Sequence, residues 1–295
     1  MGSTIAAGLI DQVVSNAALQ AFTDYLAPLR VFSIDYNDSN EKTVEIPFYS
    51  ADAATDFTAG TTAYSDNSGG TVAGVEVSID AHKFATVSLT DTQRANSPKV
   101  ILEEFGYQAG AAVAAAMTAD IMAEITNANF SSKLAKGSAL FQYNSLVDIK
   151  KLCSKLKIPV GRSLVLDEDY YNELLKDEGI KSRAVLNLDA GNTGELQNIA
   201  GFREIHECTN IPSNSENLVG FACAPQALAI AMRYLGPQDG ADYIMAMPFV
   251  DPTSGAVLGM RKFYDKDKAL MHLVYEANYG YETGNGSALV RIVSA

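Results

Sequence analysis

The 295-residue chain contains no tryptophan, three histidines and three cysteines, and each scarcity closes off a kind of chemistry. Hydrolytic and acyl-transfer centres need a positioned base. His82, His206 and His272 are the histidines on offer, and each sits among strand-like neighbours, the setting of a structural histidine. Cys153, Cys208 and Cys223 are odd in number and lack CxxC spacing, so neither a disulfide framework nor a zinc site is indicated. Cys153 and Cys223 lie in apolar settings and read as small buried hydrophobes. Positive charge is scarce too: 22 Lys and Arg against 35 Asp and Glu leave a formal net charge of −13. That balance argues against gripping nucleic acid through a basic surface and favours solubility of an abundant protein.

Catalytic and phosphate-binding motifs are also missing. No GxSxG, HExxH, GxxxxGKS or GxGxxG run occurs. The stretch Asp189 to Glu195 imitates a phosphate loop but lacks its lysine and a following helix. Asp167, Glu168 and Asp169 are accounted for by a helix N-terminus. Asp52, Asp56 and Asp66 do not have the spacing of a calcium loop. No catalytic residue, cofactor or metal is therefore expected. Only 15 uncharged residues, seven of them Ala, separate Glu104 from Asp120, whereas a membrane span needs about 20 strongly apolar ones; no membrane association is expected. The N-terminus has no basic region and acquires Asp11 early, so export is not expected and a reducing cytoplasm is the natural place of synthesis.

What is present is enough apolar residue, 47% of the chain, for one large domain or two modest ones. Pro98 to Asn127 reads as a single helix. Ser97 suits the N-cap, Pro98 the first helical position, and Glu103 and Glu104 the positive end of the dipole. Ile101, Phe105, Val113, Met117, Ile121 and Ile125 form the expected buried stripe. Gly106, Gly110, Ala114 and Ala115 make a small face that admits another backbone, expected to be the chain's own sheet. Roughly 30 residues at about 1.5 Å each would give a spine of about 45 Å.

Ahead of the spine, Ile5 to Ala27 has helical spacing, with an apolar face that must pack elsewhere on this chain or on a neighbour. KTVEIPFYS (42–50) alternates and carries Pro47, as an edge strand does. The polar stretch 51–71 follows, and GVEVSIDAHKFATVSLTDTQ then returns as strand, so a long β-hairpin with a polar tip is expected. After the spine, Ser145 to Leu156 reads as a helix and Ser163 to Leu166 as a strand. Asp167 caps a helix that Gly179 ends, 194–212 supplies two strands, and APQALAIAMRYL (224–235) reads as a helix opened by Pro225 and closed by Gly236. The last forty residues read as three strands. A compact α/β module over about 140–255 is the result.

This ordering resembles the major capsid proteins of tailed bacteriophages with the Hong Kong 97-type fold. Five stretches carry the resemblance in their places: KTVEIPFYS, HKFATVSLTD (82–91), VGRSLVLDEDYYNELL (160–175), GELQNIAGFREIHECTNIP (194–212) and LVYEANYGYETGNGSALVRIVSA (273–295). The resemblance implies an α+β fold divided into an N-terminal arm (1–39), an extended E-loop (40–90), a peripheral domain with the spine helix (91–139), an axial domain (140–255) and return strands to the peripheral domain (256–295). It implies a structural, non-catalytic coat protein that self-assembles as pentamers and hexamers of an icosahedral head around double-stranded DNA, without sequence-specific binding, in the virion after assembly in a host bacterial cytoplasm. A portal protein, a separate scaffolding protein and a decoration protein are the implied partners. Phe57, Tyr64 and Asp66 on the loop, Glu103 and Glu104 on the spine, and Arg203, Asn214 and Glu216 in the axial domain are the expected subunit-interface residues, with 201–218 as the axial tip. Ala51 to Ala81 contains no lysine, against the pattern of members that cross-link there. The alternative is an encapsulin-type shell of a cellular compartment; an enzyme or small-molecule binder built on the α/β module is a third reading.

Overall fold

The computed structural model describes residues 7–36, 41–50, 71–96, 99–178, 180, 196–238, 240–251 and 254–295, together with 56, 58, 59 and 61. Its helices and strands, in chain order, are α1 (Ala7–Tyr25), β1 (Ser33–Tyr36), β2 (Thr43–Ser50), β3 (Thr71–Ser78), β4 (Ala81–Thr90), α2 (Asp91–Asn96), α3 (Lys99–Met122), β5 (Lys133–Ala135), α4 (Tyr143–Lys155), β6 (Arg162–Leu166), α5 (Glu168–Lys176), β7 (Leu196–Ile199), β8 (Phe202–Glu207), β9 (Leu218–Cys223), β10 (Leu228–Arg233), β11 (Met245–Val250), β12 (Val257–Asp265), β13 (Leu270–Thr283) and β14 (Leu289–Val293).

Two helices meet because glycine lets them. A Cβ on Gly106 would lie 2.4 Å from the carbonyl oxygen of Val14, and one on Gly110 would lie 2.1 Å from that of Ala18. The small face of α3 therefore receives the backbone of α1, a correction to the expectation that it receives the sheet. With the backbones this close, Val14, Ala18 and Phe22 of α1, and Leu26 just after it, are buried in the same core as Val113, Met117 and Ile121 of α3. The helix is also shorter than expected: its 24 residues span about 36 Å, and irregular turns carry the chain on through Ile125 to Phe130. The expected cap Ser97 and first-turn Pro98, like the expected terminator Gly179, lie outside the described residues. Phe105, expected in the buried stripe, is 46% exposed.

The first sheet is organised around β13, whose 14 residues are enough for three neighbours. Glu276 pairs with Gly259 of β12 and Phe84 of β4, while Asn278 pairs with Arg233 of β10 and His82 of β4. A strand has two hydrogen-bonding edges, so β4 runs along one edge and β12 and then β10 share the other. β11 pairs beyond β12, and β1 lies parallel to β10. β4 thus belongs to this sheet along its whole length, and the hairpin is confined to β2 and β3, in register from Thr43 opposite Ser78 to Ser50 opposite Thr71.

The segment expected as a helix over 224–235 is instead one turn of 3-10 helix at Pro225–Ala227 followed by the central strand β10. Its residues alternate in size rather than polarity. Leu228, Ile230 and Met232 enter the main core, and Ala229 and Ala231 pack against Ile46, Val77 and Ile79 at the root of the hairpin. Both faces are covered, so the hydropathy is unbroken and the strand period is hidden from a polarity reading.

The second sheet runs β5-β14-β9-β6-β8-β7. α4 and α5 pack on it, and the turn Ala27–Val31 after α1 reaches β6 and β8. Its boundaries differ from the expected module. The last strand β14 lies between β5 and β9 in this sheet rather than rejoining the spine's sheet, whereas β10 and β11 belong to the first. The local signals of the module hold: the Asp167 side chain accepts from Glu168 N at 2.7 Å at the start of α5, and α4 buries Leu146, Ile149 and Cys153.

Candidate assembly surfaces

The eight expected interface residues fall in four places. Phe57, Tyr64 and Asp66 lie outside the described residues. Glu103 and Glu104 stand in the second turn of α3, where Glu104 is exposed and accepts from Gln108 Nε2 at 2.8 Å. Arg203 projects from β8, 72% exposed, with its Nε 3.1 Å from Glu204. Asn214 and Glu216 come together at the far end of α3.

That last pair is anchored within its own chain. Asn214 donates from Nδ2 to the carbonyls of Met122 and Ile125 at 3.0 and 2.9 Å, filling acceptors that the end of the helix leaves open. Glu216 binds Nη1 of Arg291 and accepts from Asn127 N at 3.0 Å. Arg291 is 1% exposed, and its other nitrogens reach the Phe130 carbonyl at 2.7 Å and Asn127 Oδ1 at 2.6 Å. Each of the three guanidinium nitrogens has an acceptor, and one of these is a carboxylate, which is the condition for keeping a charge inside. Within the expected axial tip, Asn214 and Glu216 therefore form a clamp joining the second sheet to the end of α3. Sequence reading missed Arg291 because it sits in the apolar run LVRIV, where an isolated charge signals a buried partner.

The other end of α3 borders an open cleft of about 520 Å³ lined by Ala85, Val87, Leu89, Gln93, Phe105 and Ala109. It runs beside β4, whose second edge has no strand partner among the described residues.

The histidines are engaged in the sheets. His82 Nε2 lies 3.1 Å from the buried carboxylate of Glu276, which also accepts from Arg261 Nε at 2.7 Å. His206 meets Glu204 at 3.2 Å. His272 takes Ser88 Oγ at 2.8 Å and stacks on Phe263 at 4.8 Å. That Ser and His pair lies on an exposed sheet face, and no carboxylate orients the ring among the described residues. Among those residues, no cluster of three His, Cys, Asp or Glu is placed to hold a metal, and no helix is long and apolar enough to cross a membrane.

No protein-family model and no curated protein matches the sequence. Solved structures do match in fold. A capsid structure of the cyanophage P-SCSP1u aligns with a TM-score of 0.59 at 16% identity, over 90% of this chain and 86% of that one. A structure from Mycobacterium phage Che8 aligns at 0.54 and 19% identity, over 92% and 90%. A virus-like particle from Pyrococcus furiosus aligns at 0.54 and 12% identity, over 95% and 97%. The chain has the mixed α+β fold of phage capsid proteins.

Proposed function

We propose that this chain is the major capsid protein of a tailed bacteriophage, with the Hong Kong 97-type fold, and that many copies close into an icosahedral head around packaged double-stranded DNA. The observation that carries the reading is a likeness to a cyanophage capsid structure that extends over 90% of this chain and 86% of the other, so the whole subunit is compared and not a shared module. In this reading β2, β3 and the polar segment between them are the E-loop, which lies across a neighbouring subunit with Phe57, Tyr64 and Asp66. α3 is the spine of the peripheral domain, and the second sheet with α4 and α5 is the axial domain. Glu103, Glu104 and Arg203 face neighbours; Asn214 and Glu216 support the interface from within by fixing the axial sheet to the spine. The role is structural, the shell encloses DNA without gripping it, and scaffolding, portal and decoration proteins are its partners during assembly in the host cytoplasm.

Recombinant protein, alone and with candidate scaffolding proteins, should give closed particles by electron microscopy. A chain that stays monomeric by light scattering under all of these conditions refutes the reading. An encapsulin-type compartment is the second reading, supported by the likeness to the Pyrococcus furiosus virus-like particle. Mass spectrometry of particles from the native source separates the two: portal and tail proteins with DNA belong to a phage head, an enclosed enzyme to a compartment.

A further inference from the structure

The axial module is charged with opposite signs at its two ends. Its parallel strands β6 and β8 start together, Arg162 beside Phe202, and finish together, Leu166 beside Glu207. Before β6 the chain carries Lys150, Lys151, Lys155 and Lys157, all exposed, and none makes an ion pair among the described residues. Lys150 reaches the β7–β8 turn, since a Cβ on Gly201 would lie 3.3 Å from its Nζ. At the same end Val160 is 97% exposed, the most exposed large apolar side chain described. After β6 come the exposed acids Glu168 and Asp169, and β8 closes on exposed Glu207; these too make no ion pair among the described residues. Five residues of strand at about 3.3 Å each put the two ends about 16 Å apart.

In a chain of net charge −13, four lysines without ion pairs gathered within eight residues cost self-repulsion, which the favourable place of Lys155 in the last turn of α4 offsets for one of them. Val160 stands bare beside them; a single exposed valine is ordinary on a protein surface, so it is the charge that marks this surface, and the valine adds apolar area to the same place. The acidic end is the complementary partner that every copy supplies. Two different patches on one chain make a head-to-tail contact, the kind that generates rings when the rotation closes.

We infer that the lysine end of the axial module, Lys155, Lys157 and Val160, docks on the acidic end of a second copy, Glu168, Asp169 and Glu207. The inference rests on the shell reading and names the contact that builds its rings. Charge sets the register and direction of the contact, and Val160 supplies its apolar centre.

The experiment compares full-length wild type with Lys155→Glu/Lys157→Glu, with Glu168→Lys/Asp169→Lys, and with the fourfold variant carrying both exchanges. Particle and ring yields are read by electron microscopy and native mass spectrometry, and folding by far-UV circular dichroism and melting temperature. Each double variant reverses charges that favour the end of α4 or the start of α5, so the unassembled protein should melt slightly below wild type, yet its assembled yield should fall about tenfold, because the contact recurs between every pair of neighbours. The fourfold variant should recover assembly, since its ends are complementary again. Double variants that assemble as well as wild type, or a fourfold variant that does not recover, overturn the inference while wild-type particles leave the shell reading standing. Wild type that forms no particles overturns both.

Discussion

Replacing Gly110 by Ala in α3 sets two effects of opposite sign against each other. In a free helix, the change stabilises by about 1 kcal/mol, because glycine gives up more backbone freedom on folding. Here the new Cβ would start 2.1 Å from the Ala18 carbonyl oxygen, and real Cβ contacts essentially never fall below 3.0 Å, so α1 must retreat by about 0.9 Å. The obstacle is backbone of another helix, which no rotamer change can move aside. A gap approaching 1 Å forfeits about a quarter to a half of each dispersion contact across it. The side chains that lose contact are Val14, Ala18 and Phe22, which are at most 2% exposed; full burial of a large apolar one contributes about 1.5–3 kcal/mol. The packing loss is then about 1–3 kcal/mol, within the usual range for overfilling a core. After the helix-propensity gain, a net loss of up to about 2 kcal/mol remains. The assay is urea denaturation of unassembled protein followed by far-UV circular dichroism, with Ala112→Gly on the exposed face of α3 as the control for propensity alone, expected to cost about 1 kcal/mol. If Gly110→Ala stabilises by as much as Ala112→Gly destabilises, α1 does not rest on this glycine and the packing argument is wrong.

Glu216→Gln leaves the Arg291 charge buried without its counter-charge and should cost about 3 kcal/mol in the same denaturation assay, whereas the double variant Glu216→Leu/Arg291→Met should cost less than that single one. Asp167→Ala removes the cap of α5 and should cost about 1 kcal/mol, with Asp167→Ser restoring most of it. The thiol of Cys153 is pushed up from 9.0 to about 11, chiefly by burial. The folded state therefore holds its proton more tightly than the unfolded state, and the resulting stabilisation, on the order of 2–3 kcal/mol, is present below pH 9 and fades as pH rises to about 11. Melting curves across that interval should flatten in Cys153→Ala. Burial also raises the thiols of Cys208 and Cys223, so all three cysteines should resist iodoacetamide at pH 8 until denaturant is added.

Elements whose cause is local were legible in the sequence. The Asp167 cap, the apolar stripe of α4 and the alternation of β2, β3 and the three closing strands each follow from residues within a dozen or so positions of one another. Elements decided by distant partners were not. β10 has two covered faces, and its large-small alternation, Leu228-Ala229-Ile230-Ala231-Met232, becomes meaningful once the hairpin root is known to lie on the alanines. β14 looks like any C-terminal strand, and nothing near it in sequence says that its neighbours are β5 and β9. For the assembly surfaces, Arg203 and Glu104 were legible as exposed charge. Asn214 and Glu216 also looked like surface residues, because the acceptors and cation that hold them lie at Met122, Ile125 and Arg291.

The placement of β13 and Arg291 bears on how a subunit of this kind carries load. β13 is hydrogen-bonded along both edges, and the five residues after it lead directly into β14 of the second sheet. Arg291 on β14 then ties that sheet to the end of α3 through Glu216, Asn127 and the Phe130 carbonyl. A displacement at the charged ends of the second sheet is opposed by the shared apolar core and the Ala27–Val31 turn, and also by a strand ladder and a buried ionic clamp that do not yield by small amounts: ladder register moves in whole residues, and a buried charge cannot part from its partners without a large penalty. The hairpin differs. Its described apolar attachment is Ile46, Val77 and Ile79 on two alanines, with Val44 and Val75 alongside, so it is held to the sheet at its root. In the proposed shell reading, the block of two sheets would carry the charged contacts at fixed spacing and the hairpin, held at its root, would reach a neighbour, because identical subunits in a closed shell must keep their ring contacts while the angle between rings changes.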